Sequence, residues 1–173
     1  RTALDHAASP EDARPELARF DKAVVLVIDA LRTDFLVGPT EGDASPFYHD
    51  VLGLPAQLTA AHPERSVLFD AYSDPPTTTM QRIKGFTTGS LPTFIDAGAN
   101  FASTAVTEDS LVHQLVRAGK RVGFMGDDTW TLLFPEQFAP GLEHPYDSFN
   151  VEDLHTVDQG VIDHLFPYLH PSN

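Results

Sequence analysis

The apolar positions of this chain form short continuous runs that alternate with helical stripes. Residues 23–28 (AVVLVI) are apolar throughout and mostly β-branched, a pattern typical of a central parallel strand that is covered on both faces. Weaker strand patterns occupy residues 66–72 and 121–125, and a short helix is expected over residues 56–61. Strands separated by helices predict an α/β fold with a doubly wound, mostly parallel sheet and helices on both faces.

Three longer segments have the spacing or the end signals of helices. A helix over residues 80–88 is closed by Gly89, whose lack of a Cβ atom suits a left-handed C-terminal residue. A second helix is expected to begin at an N-cap on Thr107. The last predicted helix covers residues 151–165, with Asn150 as its cap.

The composition restricts the kinds of partner. The chain has 173 residues, of which 42% are hydrophobic, and this is enough for one packed core. We expect residues 1–20 to form an irregular lead-in and residues 21–173 to form one domain. Acidic residues outnumber basic ones by 25 to 11, and the net charge is −14. This balance argues against nucleic acid as a partner, because binding to a phosphate backbone needs clustered Lys and Arg.

The residue types that are missing also narrow the chemistry. There is no cysteine, so thiol chemistry and cysteine metal sites are excluded. An acidic protein that handles phosphate needs another source of positive charge, and a metal ion is the obvious one. The longest apolar run is residues 23–28, far too short for a membrane span. Because the chain opens on Arg1 and stops at Asn173 after a helical pattern, we expect it to be part of a longer protein.

Polar residues follow each predicted strand, where ligands bind in open α/β sheets. Asp29 follows the first strand, and it has two open interpretations: a rigidly held metal ligand or the cap of a following helix. Asp127 and Asp128 follow the third strand, where capping of the turn at Thr129 is the favoured interpretation over metal binding.

The stretch DPPTTTM, residues 74–80, places three hydroxyls between two prolines and a helix. If the helix starts at Met80, Thr79 lies at its N-terminus, where backbone N–H groups and the helix dipole stabilise an anion. A metal-activated hydroxyl at this point can attack phosphorus. The alternative is an ordinary threonine cap, and Thr77 and Thr78 remain possible nucleophiles.

Two acid and histidine pairs have spacings that resemble metal sites. Asp109 and His113 are four residues apart, and Asp163 is followed directly by His164. We interpret the first as an i,i+4 pair on a helix surface. The histidines interpreted as solvated are His113, His155, His164 and His170.

Four motifs together resemble a known family: VVLVIDALRTDF, DPPTTTMQRIKGFTTGSLPTFIDAGANFAS, VTEDSLVHQLVRAGKRVGFMGDDTW and SFNVEDLHTVDQGVIDHLF. In this order they resemble the lumenal catalytic domain of the glycosylphosphatidylinositol (GPI) ethanolamine phosphate transferases, members of the alkaline phosphatase superfamily. The likeness covers about residues 21–169. The runs TTGSLPTFIDAGANFAS and GDDTW are most similar to enzymes that act on the third mannose.

The resemblance implies roles for individual residues. The superfamily has two zinc ions at the carboxyl edge of its sheet and a nucleophile that is transiently phosphorylated, ten residues before the Gly of a Thr-Gly pair. In this chain that position is Thr79. The resemblance implies that Asp29 binds the same zinc ion as Thr79 and that Asn100 contacts the phosphoryl oxygens. Asp127 and Asp128 belong to a signature motif to which the resemblance gives no role.

The activity that the resemblance implies is transfer of ethanolamine phosphate from phosphatidylethanolamine to a GPI mannose, on the lumenal side of the endoplasmic reticulum membrane. It also implies membrane segments outside this chain and a stabilising membrane subunit. The family's other zinc ligands come later in the chain than these residues extend, so we expect the chain alone to bind zinc poorly and to be inactive. The alternatives are a phosphodiesterase or other hydrolase of the same superfamily, or a non-catalytic module with this fold.

Overall fold

A computed structural model describes residues 22–37, 42, 45, 47–49, 51–73, 75, 77–91, 105–150, 152–153 and 155–169. These residues divide into two compact units, a smaller one within Phe20–Ser73 and a larger one within Asp74–Asn173. The predicted lead-in over residues 1–20 lies outside the described residues, so its boundary with the domain stays a prediction.

The smaller unit contains two helices that contact each other, α1 (Asp34–Val37) and α2 (Leu54–Ala61). The backbone N–H of Leu52 donates to the carbonyl of Phe35 at 3.4 Å, which links the two helices. The short helix predicted over residues 56–61 is confirmed. It begins two residues earlier, because Pro55 lacks an N–H and fits the first helical turn.

The strands predicted over residues 23–28 and 66–72 are wrong. Neither segment forms a strand, and the side chains of Val24 to Ile28 are 48% to 66% exposed. A parallel strand exists only through hydrogen bonds to neighbouring strands, and the described residues of this unit contain none. The second segment is joined by a side-chain bond to the residues that precede α1: the Thr33 hydroxyl donates to Asp70 Oδ1 at 2.9 Å.

The described residues of the larger unit form six elements. In chain order they are α3 (Thr79–Thr88), α4 (Leu111–Arg117), β1 (Phe124–Asp127), α5 (Thr129–Leu133), β2 (Glu143–Tyr146) and α6 (Thr156–Leu169).

The two strands of this unit form a parallel sheet. Phe124 stands opposite Glu143, and Asp127 stands opposite Tyr146. The connection between the strands contains α5, and α6 packs against both strands. This β-α-β arrangement is compatible with the predicted α/β class. The strand predicted over residues 121–125 exists but begins at Phe124, where its first residue donates its N–H to the carbonyl of Leu142 at 2.8 Å.

The helix predicted over residues 80–88 is confirmed, and it begins one residue earlier. It ends as the sequence predicts: Gly89 has a left-handed backbone (φ 69°), and its N–H donates to the carbonyl of Gly85 at 2.9 Å. The predicted N-cap of the next helix is wrong. The cap of α4 is Ser110 instead of Thr107, because the Ser110 hydroxyl accepts the N–H of His113 at 3.2 Å.

The last helix is shifted from its predicted position of residues 151–165. Asp153 is the residue that terminates the preceding turn, since its Oδ1 accepts the N–H groups of His155 at 3.0 Å and Thr156 at 2.9 Å. The predicted cap, Asn150, accepts the N–H of Glu152 at 3.2 Å in that turn instead. The helix therefore starts after Asp153, at Thr156, and runs further than predicted, to Leu169.

The hydrophobic core lies between α3, α4, α5 and β1 of the larger unit. Its buried side chains are Ile83, Val106, Val112, Leu133, Phe134 and Phe138, with Met80, Val122, Phe124 and Trp130 packed against them. Leu133 and Phe134 have no exposed surface. Burial of this apolar surface fixes α3 and α5 relative to each other.

Candidate functional site

Thr79 is the first residue of α3, as the sequence predicted for a residue at the N-terminus of this helix. Thr78 is the N-cap, with an extended backbone (φ −75°, ψ 149°), and its hydroxyl makes no capping hydrogen bond. Its carbonyl accepts the N–H of Arg82 at 3.0 Å, the first backbone bond of the helix. The backbone N–H groups of a first helical turn have no acceptor within the helix, so this end of α3 can hold an anion beside the Thr79 hydroxyl.

The three neighbouring threonines differ in their exposure to solvent. Thr77 and Thr78 are exposed, whereas Thr79 is half-buried. The choice of Thr79 as nucleophile rests on the resemblance and stays a prediction, but Thr79 is the only one of the three within the helix itself.

The two threonines at the other end of α3 have a structural role. The Thr87 hydroxyl donates to the carbonyl of Ile83 at 2.6 Å, and the Thr88 hydroxyl donates to the carbonyl of Lys84 at 2.7 Å. The Thr88 hydroxyl also contacts that of Ser90. These bonds tie both threonine side chains to the backbone of their own helix, four residues earlier.

The helix that carries Thr79 is anchored by aromatic packing. Phe86 meets Trp130 of α5 edge to face, with ring centroids 5.7 Å apart. Trp130 in turn stacks on Phe124 of β1 at 5.9 Å. Met80, directly after Thr79, packs against the buried core. The position of Thr79 therefore depends on contacts made by α5 and β1.

Asp127 and Asp128 lie at the carboxyl end of β1, where the sequence predicted acidic residues. Asp127 Oδ1 accepts the N–H of Thr129 at 2.7 Å, which confirms the favoured interpretation that it caps the following turn. Asp128 Oδ1 accepts the hydroxyl of Ser148 at 2.8 Å, and the N–H of Asp128 donates to the carbonyl of Tyr146 at 3.0 Å.

Asp29 is found in the smaller unit and Thr79 in the larger one, so their pairing on one zinc ion stays a prediction. Asp29 does not cap a helix, since α1 begins only at Asp34. Its Oδ1 accepts the N–H of Ala30 at 3.0 Å, and Ala30 has a left-handed backbone with φ 54°. Asn100, the predicted phosphoryl contact, lies outside the described residues.

The smaller unit contains a charged cluster that sequence reasoning missed. Arg32 forms a salt bridge with Asp34. The nearly buried side chain of His49 contacts the same carboxylate, with its Nε2 at 3.3 Å from Asp34 Oδ2. The N–H of Ser45 donates to His49 Nδ1 at 2.7 Å, so the ring proton is on Nε2 and points at the carboxylate.

The electrostatics of this cluster favour the charged form of Asp34. Burial acts to raise the pKa of Asp34, but hydrogen bonds from Arg32 and His49 outweigh it and lower the pKa. The Arg32 guanidinium lies over the rings of Phe35 and Tyr48, at 5.7 and 5.8 Å from their centroids. The two-residue spacing of Arg32 and Asp34 in DALRTDF is the one sequence signal from which this pair could have been found.

The described residues do not fit a complete zinc site. Among them, no group of three or more histidines, aspartates or glutamates is placed to hold a metal ion. Zinc sites in proteins use three or four protein ligands, and the two predicted here, Asp29 and Thr79, are in different units.

The predicted pair of Asp109 and His113 is only partly on a helix, because α4 begins after Asp109. The Nδ1 atom of His113 lies 3.1 Å from the carbonyl oxygen of Glu108, and the side-chain amide of Gln114 donates to Asp109. The carbonyl contact shows that His113 is tied to the start of its own helix.

The predictions that His113 and His164 are solvated are both wrong. His113 is half-buried, and its ring meets that of the buried Phe134 edge to face at 5.8 Å. His164 is also within the packed part of the unit. Its ring is half-buried and stacks on the ring of His144, with centroids 3.6 Å apart. His144 belongs to β2, a strand that the sequence analysis did not predict, so this partner was not anticipated. His155 is exposed, as predicted, and His170 lies outside the described residues.

None of the helices in the described ranges combines the length and the apolar composition that a membrane crossing requires.

Comparison with known proteins identifies close relatives of the chain. It is 50% identical over 157 residues to GPI ethanolamine phosphate transferase 3, catalytic subunit, of Mus musculus, a match that covers 88% of this chain and 14% of the relative. It is 45% identical over 172 residues to GPI ethanolamine phosphate transferase 3 of Saccharomyces cerevisiae, covering 98% of this chain and 17% of the relative. A type 2 relative, GPI ethanolamine phosphate transferase 2, catalytic subunit, of Homo sapiens, is 42% identical over 149 residues, which cover 84% of this chain and 14% of the relative.

The chain therefore spans between 14% and 17% of the length of these relatives. No family model matches the sequence, and no solved structure is similar to it.

Proposed function

Because the chain is homologous to a segment of the GPI ethanolamine phosphate transferases of type 3, we propose that it carries the nucleophile of such a transferase. The proposed reaction moves ethanolamine phosphate from phosphatidylethanolamine to Thr79 and then to a mannose, the third, of the GPI anchor precursor. Identity of 45% to 50% over nearly the whole chain supports the family, and the higher identity to type 3 than to type 2 relatives supports the choice of mannose.

The observation that carries the proposal is the place of Thr79 in the first turn of a ten-residue helix. In the first step the Thr79 Oγ attacks phosphorus. An Oγ–P bond forms, the bond from phosphorus to the diacylglycerol oxygen breaks, and that oxygen takes up a proton as the Thr79 hydroxyl loses one. In the second step the mannose 6-hydroxyl oxygen attacks phosphorus, the Oγ–P bond breaks, and Thr79 regains a proton.

The N-terminus of α3 contributes to both steps through its backbone. Negative charge on the phosphoryl oxygens is stabilised by the N–H groups of the first turn and by the positive end of the helix dipole. These donors are already in place before the reaction, because Met80 and Phe86 hold the helix against its neighbours.

We include two zinc ions in the proposal, with Asp29 and Thr79 as ligands of one and further ligands outside the described residues. Bound zinc lowers the pKa of a hydroxyl and neutralises phosphoryl charge. Asn100 is proposed to contact the phosphoryl oxygens.

The proposed location is the endoplasmic reticulum membrane, with the catalytic residues on the lumenal side. The proposed partners are the two lipid substrates and a stabilising membrane subunit, and the name of the mouse relative as a catalytic subunit supports the presence of another subunit. Nucleic acid is no partner in this proposal, given the net charge of −14.

The decisive experiment traps the covalent intermediate in an enzyme with the complete catalytic domain. Phosphatidylethanolamine with a labelled headgroup is supplied without a GPI acceptor, and the protein is digested and analysed by mass spectrometry. We expect ethanolamine phosphate on the peptide that contains Thr79. Thr79→Ala should abolish both the adduct and transfer, whereas Thr78→Ala, the matched control on the exposed neighbour, should retain both.

Three results would contradict the proposal. An adduct on Thr77 or Thr78 would show that one of these residues, and not Thr79, is the nucleophile. Steady release of labelled ethanolamine phosphate to water, with no transfer to an added GPI mannose acceptor, would make the enzyme a hydrolase. If cells that carry only the Thr79→Ala variant attach GPI anchors normally, this region is a non-catalytic module.

A further inference from the structure

Asp127 and Asp128 form a motif that the proposed reaction leaves without a role. Both carboxylates have protein partners in the larger unit: Asp127 accepts the N–H of Thr129, and Asp128 accepts the hydroxyl of Ser148. Each carboxylate accepts its bond from a neutral group. Asp127 therefore holds a backbone N–H at the start of α5, and Asp128 ties the same turn to the side chain of Ser148.

The backbone that they fix is the start of α5. The carbonyl of Asp128 accepts the N–H of Thr131 at 3.1 Å and the hydroxyl of the same residue at 2.8 Å. Asp127 orients the N–H of Thr129 at 2.7 Å, one residue before Trp130. These three hydrogen bonds stabilise the first turn of α5. They matter because α5 has only five residues and is too short to be stable by itself.

Trp130 connects α5 to the helix of the nucleophile. Its ring contacts Phe86 of α3 at 5.7 Å, Phe124 of β1 at 5.9 Å and Phe134 at 6.1 Å. Edge-to-face and stacked aromatic pairs of this kind fix both distance and orientation. A displacement of α5 thus moves the surface on which α3 rests.

We propose that Asp127 and Asp128 are positioning residues, which hold Trp130 against α3 and so place the Thr79 hydroxyl for attack. This inference rests on the proposed function of Thr79 as nucleophile. It assigns the two carboxylates a role as hydrogen-bond acceptors, in which charge is not required. An amide oxygen can accept the same bonds, whereas a zinc ligand at these positions would need the carboxylate.

The test compares Asp127→Ala and Asp127→Asn in an enzyme with the complete catalytic domain. Misplacement of a reacting group by about 1 Å costs on the order of a hundredfold in rate. We expect Asp127→Ala to lower kcat roughly ten- to a hundredfold with KM unchanged, because Asp127 does not touch substrate. Asp127→Asn should rescue most of that loss.

The matched control is Asn150→Ala, which removes a side-chain oxygen that likewise accepts the N–H two residues further on, that of Glu152 at 3.2 Å, at an exposed site outside the turn that holds Ser148. It should leave kcat within about twofold. If Asp127→Asn is as inactive as Asp127→Ala, or if KM rises in place of a fall in kcat, the positioning role is overturned.

A spectroscopic measurement separates this inference from the identity of the nucleophile. Trp130 is the single tryptophan of the 173-residue chain, so its fluorescence reports the packing between α5 and α3. Asp127→Ala and the milder Ser148→Ala, which removes the partner of Asp128, should shift its emission to longer wavelength, whereas Asp127→Asn and Asn150→Ala should not. Unchanged emission in both of the first two variants contradicts the positioning role. Activity that survives Thr79→Ala overturns the proposed function instead, and leaves the emission result as it stands.

Discussion

The imidazole rings of His144 and His164 lie parallel, with centroids 3.6 Å apart and planes inclined by only 6°. One ring belongs to β2 and the other to α6, so the pair forms part of the contact between the sheet and its last helix. The Nε2 of His144 lies 2.9 Å from the Tyr168 hydroxyl, which donates to the carbonyl of Gly141 at 3.3 Å. The stack is compatible with one charge at most, since two imidazolium rings at this distance repel each other.

Acid should therefore loosen the contact between β2 and α6. Burial, and then the charge of His164, lower the pKa of His144 below its usual 6.5. Below pH 6.5 the unfolded chain takes up a proton that folded His144 resists, so stability is full above this pH and is lost as the pH falls. The other titratable groups on these two elements are Glu143, Tyr146, Asp158, Asp163 and Tyr168.

The measurement for this prediction is the urea midpoint of unfolding at pH 7.5 and at pH 5. We expect His164→Phe, which keeps a stacked ring without a charge, to lose less stability on acidification than the unmodified chain. His155→Phe, at an exposed position, should follow the unmodified chain. An identical decrease in all three would show that the stack is not the acid-sensitive contact.

Gly160 is needed for the packing of α6 on Tyr146. A Cβ atom at Gly160 would lie far inside the van der Waals radius of the Tyr146 ring. Alanine favours a helix by about 1 kcal/mol over glycine, but overpacking costs about 1 to 3 kcal/mol or more. We expect Gly160→Ala to lower the free energy of unfolding by roughly 2 kcal/mol, measured by chemical denaturation. The double variant Gly160→Ala/Tyr146→Ala should be no less stable than Tyr146→Ala alone, and a further loss there would refute the steric explanation.

The start of α4 can be tested with two hydroxyl deletions. Ser110→Ala removes the hydroxyl that accepts the N–H of His113, and a lost N-cap costs about 1 kcal/mol. Thr107→Ala at an exposed site should change the free energy of unfolding by less than about 0.5 kcal/mol. If the two variants lose equal free energy of unfolding in thermal unfolding experiments, Ser110 is not the distinct cap of this helix.

Asp153 gives the start of α6 its own dependence on pH. Hydrogen bonds from the side chain and the backbone of Thr156, and from the backbone of His155, lower the pKa of Asp153 from 3.8 to about 2. Its stabilising contribution is therefore full above pH 3.8 and is lost as the pH falls through about 2. Asp153→Ala should lower the helical circular dichroism of the chain at pH 7 and lessen its change between pH 4 and pH 2. The same acid response in the variant and the unmodified chain would mean that another carboxylate controls this helix end.

Features that depend on local chemistry were predictable from the sequence. Gly89 ends α3 because only a residue without a Cβ atom adopts the left-handed backbone easily, and Asp127 caps a turn two residues away. The start of α4 was misplaced because Thr107 and Ser110 are both good caps, and the choice depends on which one reaches a free N–H.

Features that depend on distant partners were not predictable. Residues 23–28 have a strong strand pattern, but a strand also needs a neighbour to pair with, and the pattern does not contain one. The opposite error occurred in β2, where the sequence EHPY has a proline and two polar residues, yet pairs with β1 along its full length. The same limit applies to the candidate site: the end of α3 was predicted from nearby residues, whereas the pairing of Asp29 with Thr79 depends on how two units assemble.

The exposed run at residues 23–28 has a practical consequence for handling the protein in solution. Six successive apolar residues without a charge or proline form the type of window that nucleates intermolecular β-structure, and their side chains from Val24 to Ile28 face solvent in this fold. The isolated chain should therefore self-associate as its concentration rises, with scattering that grows faster than linearly. A single lysine at Val25 should raise its solubility, since a charge within such a window opposes stacking between molecules.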